Sequence, residues 1–239
     1  MMEKVTKSQI KLVKSLQLKK NRDELGLFVA EGAKCVEELR KSFELVHLYR
    51  EGENASRTDI EQMSGLKTPQ GIVGVFRKRP MEEVGWMMDD LVIALDGIQD
   101  PGNLGTILRT VDSANLRQIV ISKETADVFN SKVVRSTMGA IFRINVIKSE
   151  DLVNDLISMK EHGFKIVVTA LDTDDSVYDI DYMKKVIVIG NEANGVSKEV
   201  QDVADNKVKI PMLGKTESLN ASVAAGIMIY EYVRKKVGK

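Results

Sequence analysis

Cysteine occurs once in this 239-residue sequence, at Cys35, and histidine twice, at His47 and His162. A single thiol excludes an internal disulfide framework and suits a reducing compartment. Two scattered imidazoles and one thiol offer no metal-ligand spacing, so no metal is expected. Aromatic residues make up only 5% of the chain, which argues against base stacking on a Phe or Tyr platform as the main mode of holding nucleic acid. An excess of either charge is missing as well: 35 Lys and Arg balance 35 Asp and Glu. A nucleic-acid protein of zero net charge must rely on a local basic patch. No segment approaches the roughly eighteen apolar residues of a membrane span. The lysines near the N-terminus are not followed by the apolar core of a secretory signal. The expectation is a cytoplasmic protein with no membrane partner.

The length allows one large or two modest domains, each able to bury a core. Residues 1–79 read as a first unit. Lys7 to Lys20 is expected as one helix, with strands near 26–30, 43–49 and 71–76 and a helix near 32–41. Lys4, Lys7, Lys11 and Lys14 recur at three- and four-residue steps and would share a helix face, either as a solvated surface or as a phosphate-binding patch. Residues 80–90, with Pro80 and the charges around it, read as a linker. From Leu91 to the end at 239, apolar runs near 91–95, 118–121, 144–147, 165–170, 186–189 and 207–210 alternate with helical stretches. That pattern means an α/β unit with a mostly parallel sheet covered by helices on both faces. His162-Gly163 reads as a helix C-terminus, and His47 as a packed strand residue.

Three polar, glycine-containing clusters follow strands of this second unit. They are Asp100-Pro101-Gly102-Asn103-Leu104-Gly105 with Arg109 behind it, Gly190-Asn191-Glu192-Ala193-Asn194-Gly195, and Glu217-Ser218-Leu219-Asn220-Ala221-Ser222. Loops leaving the C-terminal ends of parallel strands meet on one edge, where ligands bind. Asn103 stands where a helix would be N-capped. On that helix Leu104, Ile107, Leu108, Val111 and Ala114 form one stripe, and Arg109 points nearly opposite. Gly190 closes a strand and permits close backbone approach. Glu192, taken alone, reads equally well as a cap for the next helix. Ser218 and Asn220 precede the last helix as N-caps do.

The order and spacing of these clusters resemble the three motifs of the SpoU (TrmH-type) RNA ribose methyltransferases. The resemblance covers Leu91 to about Glu231 and implies a SPOUT trefoil-knot catalytic domain. By that resemblance Arg109 and Asn103 belong to the first motif, Arg109 engaging the ribose hydroxyl and its adjacent phosphate. Glu192 would order the active-site loops, and Ser218 and Asn220 would hold the reacting ribose. S-adenosylmethionine would be contacted by Gly190, Ile210, Met212 and Leu219, with Thr169 and Leu171 nearby. Two departures stand out: Asn115-Leu116 replaces the usual aromatic-glycine pair, and Ala193 stands where the second motif often has glycine. The first unit more weakly resembles the family's small RNA-binding domain. The segment 130–140 also resembles a family segment, with Lys132 and Arg135 as RNA contacts. Family members are generally homodimers.

The implied activity is S-adenosylmethionine-dependent methylation of a ribose 2′-hydroxyl, in ribosomal RNA first and transfer RNA second. An inert RNA-binding or ribosome-assembly factor on the same fold is the rival from another class, and the intact Asn103, Arg109, Glu192, Ser218 and Asn220 argue against it. A nucleotide-binding Rossmann protein is disfavoured because no G-x-G-x-x-G follows Leu91–Leu95.

Overall fold

Short apolar runs that alternate with amphipathic segments assemble, in the computed structural model, into two sheets built from different parts of the chain. The structure describes residues 4–79 and 89–238; the linker expected at 80–90 therefore lies outside the described residues except for Asp89 and Asp90. Along the chain run α1 (Lys7–Ser15), α2 (Lys19–Leu25), β1 (Leu27–Glu31), α3 (Ala33–Arg40), β2 (Leu45–Arg50), α4 (Arg57–Met63) and β3 (Ile72–Arg77). Then follow β4 (Leu91–Asp96), α5 (Pro101–Ser113), β5 (Gln118–Ile121), α6 (Ser131–Ser136) and β6 (Asn145–Lys148). The last elements are α7 (Leu152–Glu161), β7 (Lys165–Thr169), β8 (Lys185–Gly190), α8 (Lys198–Asp202), β9 (Asn206–Val208) and α9 (Ala221–Val237).

The first compact unit comprises residues 1–80 together with 127–142. Its sheet is antiparallel, in the order β1-β3-β2. Alternate residues of β1 serve opposite faces, as a strand requires. Leu27 and Val29 join Val13, Leu16, Ile60 and Met63, while the ring of Phe28 packs on Phe43, Phe76 and Phe129. Phe129 belongs to the segment 127–142, which the sequence alone assigns to the second domain. Asp127 explains the difference: its carboxylate accepts two hydrogen bonds from the buried guanidinium of Arg22, at 2.8 and 2.6 Å.

Arg22 also corrects the expected continuous helix from Lys7 to Lys20. The chain breaks after Ser15, and the same guanidinium donates to the freed carbonyls of Leu16 and Gln17, at 2.9 and 2.8 Å. Thr6 caps α1 in a reciprocal box with Gln9, so Lys4 precedes the helix while Lys7, Lys11 and Lys14 lie on it. Helix α4 was not expected. Its sequence signal is the box formed by Ser56 and Asp59. Burial pushes the Cys35 thiol up to about 11, which keeps it protonated and inert.

The second unit comprises residues 81–126 and 143–239. Its sheet has the order β6-β5-β4-β8-β7-β9, and every pairing is parallel. Central strands β4 and β8 are buried on both faces, so they read as unbroken apolar runs. Val92, Ala94, Val186 and Val188 face Leu156, Met159 and Val200 from α7 and α8. The other face is covered by α5 and α9, which pack on each other. The expected stripe of α5 is buried at Leu104, Ile107, Leu108 and Val111, each contributing on the order of 1.5–3 kcal/mol. Asn115, just past the Ala114 C-cap of α5, has φ 56°, a left-handed conformation that asparagine tolerates. His162 is the C-cap of α7, its ring Nδ1 2.8 Å from the Ser158 carbonyl. His47 stacks on Tyr49.

Candidate active site

Strand β4 delivers the chain to a turn and then to α5, which begins earlier than the sequence suggests. Asp100, not Asn103, is the N-cap: its carboxylate accepts from the Asn103 amide at 2.8 Å, and Pro101 takes the first helical position. Asp followed by Pro is a helix-start signal in its own right, and it outranks the asparagine. Asn103 therefore sits in the first turn with its side chain free for other work.

That side chain joins all three clusters. Its Nδ2 donates to the Glu192 carboxylate at 2.9 Å, and its Oδ1 accepts from Asn220 Nδ2 at 2.9 Å. Asn220 Oδ1 in turn accepts from the amide of Ser222 at 2.9 Å and caps α9. The direction of the whole chain follows from Glu192, because a carboxylate accepts only. Asn220 is thus both the helix cap and a member of the site. Glu192 does not cap the helix that follows it. Its two oxygens accept from the amides of Gln99 and Asp100, each at 3.3 Å, so it ties the second cluster to the first.

Desolvation raises the Glu192 pKa, but the bonds from Asn103 and from the two amides outweigh it and hold the carboxyl below its ordinary value. A carboxylate so depressed contributes stability that is present above the ordinary value and lost as pH falls through the lowered one. Glu192→Gln is expected to melt at a lower temperature than the parent at pH 7. The difference should stay constant down to about 4.3, the ordinary Glu value, and shrink only below it. Thermal melts of both proteins from pH 8 to 3 provide the check. A difference already fading at pH 6 would show that the network does not depend on the ionised carboxylate.

The second cluster folds into a closed turn. Asn191 and Gly195 exchange both backbone hydrogen bonds at 2.9 Å. The Asn191 side chain accepts from the Ala193 and Asn194 amides and donates to the Gly97 carbonyl at 2.7 Å. This turn dictates Gly190: a Cβ there would stand 2.1 Å from the carbonyl carbon of Gly195 and from the Val196 nitrogen. The close approach expected at Gly190 is thus made first by the loop's own backbone.

A cavity of about 490 Å³ opens beside this turn, where β7, β8 and β9 end. It is lined by Thr169, Leu171, Gly190, Ile210, Met212 and Leu219, and also by Glu192 and Ser218. Thr169 is committed locally, its hydroxyl donating to the Val188 carbonyl at 3.2 Å. Asn191 and Glu217 line the cavity too; both belong to the sequence clusters, but nothing in their spacing marked them. Arg109 is exposed on the face of α5 opposite the buried stripe. Among the described residues it forms no hydrogen bond or ion pair, and it is not part of the cavity lining.

The basic residues singled out in the sequence belong to the first unit. Lys4, Lys7, Lys11, Lys14 and Lys132 are exposed and Arg135 is half-buried. None is ion-paired among the described residues.

Comparison with known proteins agrees with this geometry. The model of the SpoU rRNA methylase family matches residues 90–230, and that of an MRM3-like substrate-binding domain matches residues 7–59. A 23S rRNA (guanosine-2′-O)-methyltransferase of Bacillus subtilis, RlmP, is 32% identical over 95% of this chain and 97% of its own. An rRNA methyltransferase from Sinorhizobium meliloti, solved with AdoMet bound, superposes with a TM-score of 0.85 at 30% identity, over 99% of this chain and 97% of that one. A TrmH-family protein from Porphyromonas gingivalis gives 0.86 at 30% identity, over 97% and 99% of the two chains.

Proposed function

The chain belongs to the SpoU rRNA methylase family, and from that premise we propose that it methylates a ribose 2′-hydroxyl of ribosomal RNA with S-adenosylmethionine as donor. The observation that carries the reading is the Glu192–Asn103–Asn220 chain of hydrogen bonds, which locks three loops into one site beside a cavity of cofactor size. A relative that spans both units and acts on 23S rRNA favours ribosomal over transfer RNA.

The cavity fits the donor by its chemistry. A polar glycine loop forms one wall, while Leu171, Ile210, Met212 and Leu219 offer apolar surface for a ring. Bound there, S-adenosylmethionine supplies a methyl group already activated on a sulfonium sulfur. Gly190, Ile210, Met212 and Leu219 would hold it, with Thr169 and Leu171 at the margin. The remaining tasks are alignment and charge stabilisation. Ser218 and Asn220 orient the ribose. Arg109, permanently cationic and unpaired, grips the neighbouring phosphate and stabilises the negative charge that develops on the 2′-oxygen. A guanidinium does not act as a base, so the proton leaves to the substrate phosphate or to water. Two copies of the chain pair through α9, where Val223 and Tyr230 are half exposed.

The test is to map ribose methylation in total RNA from cells with and without this protein, and to repeat it with purified protein and donor in chelator. One site in ribosomal RNA should disappear in the deletion and return in vitro. An unchanged map would overturn the reading, and a single-chain mass in light scattering would remove the dimer from it.

The lysine face of the first unit supplies phosphate contacts in this reading. Neutralising Lys4, Lys7, Lys11 and Lys14 should flatten the salt dependence of RNA binding by about 0.7 in the log–log slope per lost contact. An unchanged slope would leave these lysines as solvated surface.

A further inference from the structure

Away from the cofactor cavity, the first unit contains a second one, of about 190 Å³, whose walls differ sharply in polarity. On one side lies Glu31, only 6% exposed. Its carboxylate accepts from the Ser64 hydroxyl and from the Gly65 amide, the latter at 2.9 Å. Two oxygens carry about four acceptor sites, so capacity remains toward the cavity. No cation is paired with this carboxylate among the described residues, although a buried charge demands compensation. Beside it the Gln17 amide is packed against Gly65. Gln17 Oε1 accepts from the Ser131 hydroxyl at 3.0 Å, while Nε2 is buried without a partner. Two cationic side chains, Lys132 and Arg135, complete the lining, and Leu66 adds an apolar wall.

The occupant that satisfies these walls has N–H donors for Glu31, an acceptor for Gln17 Nε2, and negative charge for Lys132 and Arg135. A nucleotide has all three. Among the four RNA bases only guanine presents two adjoining donors, N1–H and the 2-amino group, next to a carbonyl acceptor. Adenine and cytosine would each turn an acceptor toward the carboxylate, and the single donor of uracil is flanked by two acceptors. Sequence-specific RNA recognition works through unstacked bases read on such edges. We infer that this cavity is a specificity site for one unpaired guanine of the RNA substrate, read by Glu31 and Gln17, with the adjacent phosphates on Lys132 and Arg135. The inference rests on RNA being the substrate.

The test uses the full chain and pentaribonucleotides carrying one variable base between uridines, with binding followed by fluorescence anisotropy. Guanine should bind more tightly than hypoxanthine, which lacks the 2-amino group, by on the order of tenfold, as for a hydrogen bond to a charged group. Glu31→Gln should erase that preference and leave the affinity for oligouridine unchanged. Because Glu31 also holds Ser64 and Gly65, Gln17→Leu provides a second arm. It leaves the carboxylate in place and should remove the preference for guanine over 6-thioguanine, which keeps both donors but replaces the carbonyl with a weakly accepting sulfur. Lys132→Ala should weaken every oligonucleotide alike. Equal affinity of the parent protein for guanine, hypoxanthine and adenine would overturn the inference. Methylation of cellular RNA is assayed on the same preparation. Methyl transfer without guanine preference sinks this site alone, and guanine preference without methyl transfer sinks the catalytic reading alone.

Discussion

Arg109→Ala is expected to slow single-turnover methylation on the order of 100-fold or more, the scale measured when a donor to a developing oxyanion is removed. The side chain forms no hydrogen bond or ion pair among the described residues, is exposed and lies opposite the buried stripe of α5, so stability should change by no more than roughly 0.5 kcal/mol. Arg109 also lies outside the lining of the cofactor cavity, so donor affinity should match the parent. Arg109→Lys should recover only part of the rate, because an ammonium cannot reproduce the planar fork that grips phosphate and hydroxyl together. Single-turnover rates on a verified RNA, set beside donor binding for each variant, decide the matter. Near-normal chemistry in the alanine variant would leave Arg109 an ordinary surface residue.

Gly190→Ala should act through the opposite route. The added methyl would stand 2.1 Å from backbone atoms of Gly195 and Val196, and backbone cannot rotate away as a side chain can. Overpacking of this kind costs typically 1–3 kcal/mol. For a chain of this length, each kcal/mol lowers Tm by about 2–4 °C. The strain opens the Asn191–Gly195 turn, which walls the cavity and holds Gly97 through the Asn191 side chain. Donor binding should therefore fall below detection, although no side chain that touches the donor is altered. Calorimetry and thermal melts on the same sample give the check, and retained donor affinity with a lowered Tm would show that the turn and the cavity are independent.

The parts of this fold that the sequence discloses are those where one local pattern meets one tertiary demand. Leu91–Leu95 and Val186–Ile189 are unbroken apolar runs because both faces of a central parallel strand are covered, and the helix between the first two strands shows its stripe plainly. The three loops were legible as a site because glycine, asparagine and proline are constrained by turn chemistry. The break after Ser15 was not legible, since the residue that makes it tolerable, Arg22, acts by reaching back to carbonyls six and five residues away. Nor was the role of Asn103, whose partners stand 89 and 117 residues further along the chain. The guanine cavity gathers positions 17, 31, 66 and 132, which share no motif at all.

The bond between Arg22 and Asp127 also sets an order of events at the ribosome. A chain is made from its N-terminus, and domains ordinarily close as they emerge. Here the first sheet is finished by β3, yet Phe28 keeps one aromatic neighbour, Phe129, and Arg22 its carboxylate partner, Asp127, on a segment synthesised about fifty residues later. Until that segment appears, the nascent sheet must wait with an aromatic face and a cation uncovered. Cutting the chain at the end of β3 makes that waiting state permanent, so a fragment ending there should be the aggregation-prone form of this protein.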